Sequence, residues 1–166
     1  IIYPDSPTQK IHFETVSQLN RVTHSSPMLS LDKTKDPEEV YNFLKGHDWF
    51  GMFKMDGLTA RITYLNGKLA KAETRGNGEV GVDITEHIKQ FLNVPIHINK
   101  EGIYIIDGEA IITDRDFESI NVNQEFANSR NLVSGTLNSL DTDVVKSRKV
   151  SFIAWDVIDG DNSNSL

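Results

Sequence analysis

The sequence predicts a mixed α+β domain built on largely antiparallel sheet with flanking helices, and three observations carry that prediction. An amphipathic pattern with an acidic cap opens at Asp36, and period-two alternation runs on both sides of Asn66-Gly67. Two apolar runs rich in β-branched residues, "IYIIDGEAIIT" and "VSFIAWDVI", occupy 103–113 and 150–158. A chain of 166 residues has room for one ordinary domain with a sizeable core, and two would be crowded. No uncharged apolar run approaches the roughly 20 residues of a membrane span, and "IIYPDSPTQK" has no basic leader of the kind that opens a signal peptide. Cysteine is absent, which excludes disulfides, thiol catalysis and thiolate metal sites. With 24 acidic against 17 basic residues the net charge is -7, so contact with nucleic acid requires a local basic patch, a partner or further domains.

Residues 1–35 read as a lead-in segment with proline at 4, 7 and 27, and "PMLSLD" as a short apolar strand or turn docking on the body; 36–166 form that body. In "DPEEVYNFLKG" Asp36 is the expected N-cap, Pro37 the first helical residue and Glu39 the third, with Val40, Phe43 and Leu44 on one stripe and Gly46 closing the helix. The pattern then changes to period two. A strand is expected over 50–55, with Phe50, Met52 and Lys54 on one face and Phe53 and Met55 on the other. A hairpin follows with a type I' turn at Asn66-Gly67, then the glycine cluster "RGNGEVG". In "DITEHIKQFLNVP", Asp83 and Glu86 form a capping pattern, Ile84, Ile88 and Phe91 share a face, and Pro95 enforces the exit. The strand at 103–113 is expected to break at Gly108, and "FANSRNLVSGTLNSLD" is helical only in part because of its serines, asparagines and Gly135. The tryptophans and phenylalanines read chiefly as core.

Several side chains could carry chemistry. An ammonium at Lys54 between Met52, Phe53 and Met55 is costly to bury without a purpose, and a lysine withdrawn from water becomes an amine nucleophile. Asp56 projects to the same side if the strand continues, and Gly57 lets a ligand lie close. A lysine snorkelling from an edge strand, with Asp56 in a turn, fits the same spacing. Arg75 sits among glycines that let a turn approach an anion, or is simply an exposed loop arginine. The Walker GxxxxGK[ST] spacing is not present. Asp107 and Glu109, on one face of an isoleucine-rich strand, could accept ribose hydroxyls, hold a divalent metal or balance Lys54; a bend with both acids in water is the alternative. Arg130 stands where a helix start could offer a guanidinium to phosphate, or could be exposed. The five histidines lack ligand spacing, so no bound metal is expected from them.

"KMDG" (54–57), "TRGNGEVGVDITEHI" (74–88), "DGEAII" (107–112) and "FANSRNLVSGTLNSLD" (126–141) together resemble the nucleotidyltransferase (adenylation) domain of NAD-dependent DNA ligases, and "YPDSPTQKI" and "HSSPMLSLD" resemble the segments that lead into it. The resemblance implies the nucleotidyltransferase (ATP-grasp-like ligase) fold, a cytoplasmic setting, NAD and Mg²⁺ as cofactors, and nicked double-stranded DNA as the partner of the complete ligase in replication and repair. It implies that Lys54 attacks the α-phosphate of NAD, releases nicotinamide mononucleotide and carries AMP to the 5'-phosphate of the nick. Asp56 would assist the lysine or bind ribose, and Glu109 would contact ribose. Arg75 and Arg130 would meet phosphate, and Ser30, Leu31 and Gly57 would complete the nucleotide contacts.

Three positions depart from the family pattern: Met52 replaces a glutamate, Asn138 an arginine, and Asp107 the arginine of "R-G-E". The resemblance also implies later motifs beyond Leu166, including a "G-x-V-x-K" strand with a second lysine. A second subunit or a further C-terminal region would supply them. An ATP-dependent nucleotidyltransferase or RNA ligase of the same fold, and an inactive interaction module, are the alternative expectations.

Overall fold

A computed structural model of the chain describes residues 19–30 and 32–160. The first described element, β1 (Arg21–Thr23), pairs antiparallel with β4 (Val80–Val82) as a two-stranded sheet. The main sheet has β2 (Leu58–Leu65), β3 (Lys68–Thr74), β5 (Ile103–Ile111) and β6 (Ser151–Asp159) in the order β3-β2-β5-β6. Every pair in it is antiparallel. The helices are α1 (Pro37–Leu44), α2 (Thr85–Ile88), α3 (Asp114–Ile120), α4 (Ser129–Leu137) and α5 (Thr142–Ser147). The α+β class with antiparallel sheet and flanking helices is thus observed.

The hairpin of β2 and β3 turns at Asn66 and Gly67, both left-handed with φ of 48° and 76°, as a type I' turn requires. A side chain at Gly67 would also strike the carbonyl of Ile98. Alternation along these strands divides the sheet into two unlike faces. Ala60, Ile62 and Tyr64 of β2, Ala72 of β3 and Ala110 of β5 are buried on one face against Ile84, Ile88, Phe91, Leu132, Val133, Leu137 and Val145. Helices α2, α4 and α5 therefore lie on that face. Tyr64, whose hydroxyl donates to Pro95 O at 2.7 Å, has its phenol held above the ordinary value by burial. The opposite face carries Thr59, Arg61, Glu73, Asp107 and Glu109, placed there by the register pairs Arg61–Glu73, Arg61–Asp107 and Thr59–Glu109.

Helix α1 forms as its sequence predicts: Asp36 Oδ1 accepts from Glu38 N at 2.9 Å and Pro37 occupies the first turn. Its apolar stripe is uncovered, with Phe43 80% exposed. The expected strand over 50–55 does not form, because no strand among the described residues offers it a ladder. For the same reason Trp49, Phe50 and Phe53 are exposed rather than in the core, Phe53 by 87%. Phe91 and Phe152 are buried and Phe117 and Phe126 partly so. The described residues of "PMLSLD", 27–30 and 32, form no strand, although Met28 is buried and its amide donates to Gly78 O at 2.8 Å.

Strand β5 is not broken at Gly108. A side chain there would meet Phe152 at 2.3 Å, so the glycine admits that ring instead of bending the strand. Helix α2 has four residues and Ile84 rather than Asp83 at its N-cap, with no side-chain cap; Asp83 Oδ1 accepts from Thr85 N at 2.9 Å just ahead of the cap, and Glu86 turns to Lys89 rather than closing a capping box. Helix α4 is complete despite Gly135, since the Phe126 ring fills the space a side chain would take and Leu132, Val133 and Leu137 are buried.

Candidate active site

The polar face and the end of the sheet at which β2 begins and β3 finishes form two neighbouring cavities that share Thr59 and Arg75. The larger, about 580 Å³, lies within the size range of small-molecule sites. Its wall draws on separated stretches of chain: Ser30, Asp32 and Lys33, then Lys54 and Met55, Arg75 at the end of β3, Glu109 on β5 and Trp155 on β6. Three cations, Lys33, Lys54 and Arg75, face two carboxylates, Asp32 and Glu109, in a chain that is acidic overall. The cavity is locally suited to an anion with polar substituents.

Arg75 owes its position to its backbone. Its amide donates to Thr59 O at 3.0 Å, while its carbonyl receives Gly78 N at 2.9 Å and lies 3.0 Å from His24 Nε2. The turn that follows is stapled by Asn77, whose Oδ1 accepts from Glu79 N at 3.0 Å and Val80 N at 2.8 Å. Gly76 is left-handed at φ 56°, and a side chain there would collide with Val80 O. The Arg75 guanidinium makes no hydrogen bond or ion pair with the described residues. The Glu109 carboxylate likewise has no partner among the described residues, and its register with Thr59 holds it at the wall.

Lys54 lines this cavity but is exposed, so burial among Met52, Phe53 and Met55 is not what holds it. Asp56 does not project beside it. With 50–57 outside any sheet, the chain turns so that Asp56 Oδ1 receives Arg130 Nη1 at 3.2 Å on the side of the second cavity. Both partners of that pair are largely exposed, and it contributes little to stability. Arg130 thus lines the second cavity, about 270 Å³, with Arg75 and Asn138 rather than the first. Gly57 is buried, and its missing side chain makes room for β5: an added Cβ would lie 2.0 Å from Ala110 O. Of the nucleotide contacts expected from sequence, Ser30, Lys54, Arg75 and Glu109 converge, Asp56 and Arg130 pair with each other next door, and Leu31 lies outside the described residues.

Asp107 is neither in water nor in the cavity. Buried at 3% exposure, it accepts Arg61 Nε at 2.7 Å and Nη2 at 2.8 Å in a two-pronged pair. Those hydrogen bonds, working against burial, raise the Arg61 guanidinium above its already high value. A cation with a raised pKa keeps its contribution everywhere below the ordinary value, so the guanidinium stays charged across the neutral range. Glu73, also buried, makes ion-pair contacts with Lys71 Nζ at 2.5 Å and His24 Nδ1 at 3.2 Å, without the alignment of hydrogen bonds.

The wall residues that went unread in the sequence include Asp32, Lys33 and Trp155. Asp32 and Lys33 directly follow the Ser30-Leu31 pair and were within reach of the same reasoning. Trp155 was not, because it is the extra residue of a bulge: Gly108 pairs with Ala154 and Asp107 with Asp156, leaving Trp155 between them and re-aimed.

An antiparallel sheet backed by helices on one face, with an amine, cations and carboxylates around a cavity at the other, has the make-up of a nucleotidyltransferase fold. Comparison with known proteins narrows this: residues 16–165 match the family described as the NAD-dependent DNA ligase adenylation domain, and the chain belongs to that family. Among curated relatives, it is 43% identical to a DNA ligase of Lachnoclostridium phytofermentans over 169 residues, covering 99% of this chain and 26% of that protein. It is 39% identical to a DNA ligase of Ruminiclostridium cellulolyticum (98% of this chain, 25% of the relative) and 40% identical to one of Campylobacter lari (98% and 26%). The chain therefore spans about a quarter of the length of the relatives it matches. Among the described residues, no helix is long and apolar enough to cross a membrane.

Proposed function

We propose that this chain is the adenylate-accepting part of an NAD-dependent DNA ligase. The observation that carries the proposal is the convergence of Lys54, Arg75, Glu109 and Ser30 on one cavity from four separate stretches of sequence. In its neutral form, Lys54 Nζ attacks the α-phosphorus of NAD. A P–N bond forms, the bridging P–O bond to nicotinamide mononucleotide breaks, and the amine gives up a proton. Arg75 and Lys33 supply fixed positive charge where it grows on the phosphoryl oxygens. Glu109, at the wall, accepts from ribose hydroxyls. The adenylate then passes to the 5'-phosphate of a nick, which the 3'-hydroxyl seals, an activity of replication and repair in the cytoplasm. Arg130 and Arg75 at the second cavity offer guanidinium groups for phosphate in that later step, and Asp56 holds Arg130 in place.

The donor set is compatible with Mg²⁺. Among the described residues no three acids or histidines converge on a point, and the cavity contributes Asp32 and Glu109 alone. One or two carboxylates with substrate phosphates are what Mg²⁺ commonly uses, so these two would hold it. Bound there, it would neutralise phosphate charge. Of the lead-in expected through residue 35, Leu29, Ser30, Asp32 and Lys33 line one side of the larger cavity.

The test is intact-mass measurement of the protein as it occurs in its cell, incubated with Mg²⁺ and either NAD or ATP. The expected result is a gain of one AMP from NAD and none in Lys54→Ala. A gain from ATP alone assigns the chain to the ATP-using branch of the fold. No gain from either donor, or a gain that survives loss of Lys54, overturns the proposal.

A further inference from the structure

Beneath the larger cavity, one guanidinium joins three pieces of chain. Arg61 is 1% exposed. Two of its nitrogens are taken by Asp107 on β5, and the third, Nη1, donates to Ser26 O at 2.8 Å and to Ser26 Oγ at 2.9 Å. The pair Arg61–Asp107 is the next on the same face of the sheet to Thr59–Glu109, both of which line the cavity. Ser26 stands shortly before Leu29 and Ser30, which line it from the other side. The loop's other anchors, His24 N to Glu79 O, Met28 N to Gly78 O and the His24 ring to Arg75 O and Glu73 Oε1, reach the glycine turn and β3 rather than β2 or β5.

We propose that Arg61 is a positioning residue of the nucleotide cavity: through its fork it sets the separation between the β2–β5 wall and the loop 24–30 wall. That a nucleotide fills the cavity rests on the proposed function. Buried as it is, Arg61 acts through the loop. Asp107 serves to orient the fork, so that the acid standing where the family pattern has arginine is matched here by a partner on the neighbouring strand. Lysine cannot replace Arg61, since an ammonium lacks the planar fork that serves a carboxylate and a carbonyl at once.

Removing Arg61 alone strands a buried carboxylate and endangers the fold, so the principal variant is Arg61→Met with Asp107→Leu, which deletes both charges and keeps volume. Hydrogen exchange is measured on the intact protein at the amides of His24 and Met28 and along β2 and β5. NAD affinity and the KM and kcat of lysine adenylation are measured beside it. The tether predicts loop amides exchanging about tenfold faster with the strands still protected. It also predicts Kd and KM for NAD raised about tenfold with kcat within about threefold, the pattern of lost binding rather than lost chemistry. Arg61→Lys should fall between the two.

Loop exchange equal to wild type overturns the tether. A loosened loop with unchanged NAD affinity overturns the positioning role. Wild-type protein that takes up no nucleotide overturns the functional reading, and with it the nucleotide's part in this proposal, while loop exchange still decides whether Arg61 holds the wall.

Discussion

Gly57→Ala changes one hydrogen for a methyl, three residues from Lys54, whose amine is proposed to react. The added carbon would lie 2.0 Å from Ala110 O, 2.8 Å from Ile111 Cγ2 and 3.0 Å from Ala110 C. Ala110 belongs to a strand paired on both edges, so its backbone cannot retreat without breaking the ladder. The segment carrying Lys54 must move instead, since 50–57 has no ladder of its own. Reaching the 3.4 Å of ordinary contact from 2.0 Å requires about 1.4 Å of movement. A misplacement near 1 Å between reacting groups lowers a rate on the order of 100-fold. Overpacking should also lower stability by about 1–3 kcal/mol. The assay is quenched-flow intact mass with NAD and Mg²⁺, alongside urea denaturation to show that the variant remains folded. A folded variant that adenylates within about threefold of wild type would refute the reasoning.

Two further outcomes follow from the same structure. Leu132→Ala, which empties a fully buried site between α4 and the sheet, should cost about 3 kcal/mol in chemical denaturation, and a loss under about 1 would mean the site collapses or is not core. Asp116 is held below the ordinary carboxylate value, first by its hydrogen bond with Thr113 and then by Lys149. A lowered acid contributes stability above its unfolded value of about 4 and loses it as pH falls through the folded one. Thr113→Val should therefore raise the Asp116 midpoint in an NMR titration more than Lys149→Met does, and should flatten the loss of stability on acidification below pH ~4. The reverse order would contradict the assignment of cause.

Much of the fold was legible because it is locally determined. Asp36-Pro37 starts a helix through a cap and a fixed φ, and Asn66-Gly67 turns a hairpin because few other pairs accept two left-handed residues. The alternation of β2 and β5 separates an apolar from a polar face without any knowledge of partners. Helices α3 and α5 went unread although their caps are written in Thr113–Asp116 and Asp141–Asp143. The short strands β1 and β4, of three residues each, carry too little pattern to be seen. The strand expected at 50–55 has the right alternation and no neighbour, which shows that a pattern specifies a face and not a ladder.

By itself the sequence determined the family, several of the residue types that gather at the cavity, and the one strand face that Asp107 and Glu109 share. Only the tertiary structure decided their partners. It gave Asp107 to Arg61 and Asp56 to Arg130, left Glu109 without an ion pair among the described residues, and turned Trp155 into the cavity wall by a bulge. The reason is that periodicity is a property of neighbours along the chain. Hydrogen bonds and ion pairs between residues 46 or 74 positions apart are set by register and packing, which no local pattern encodes.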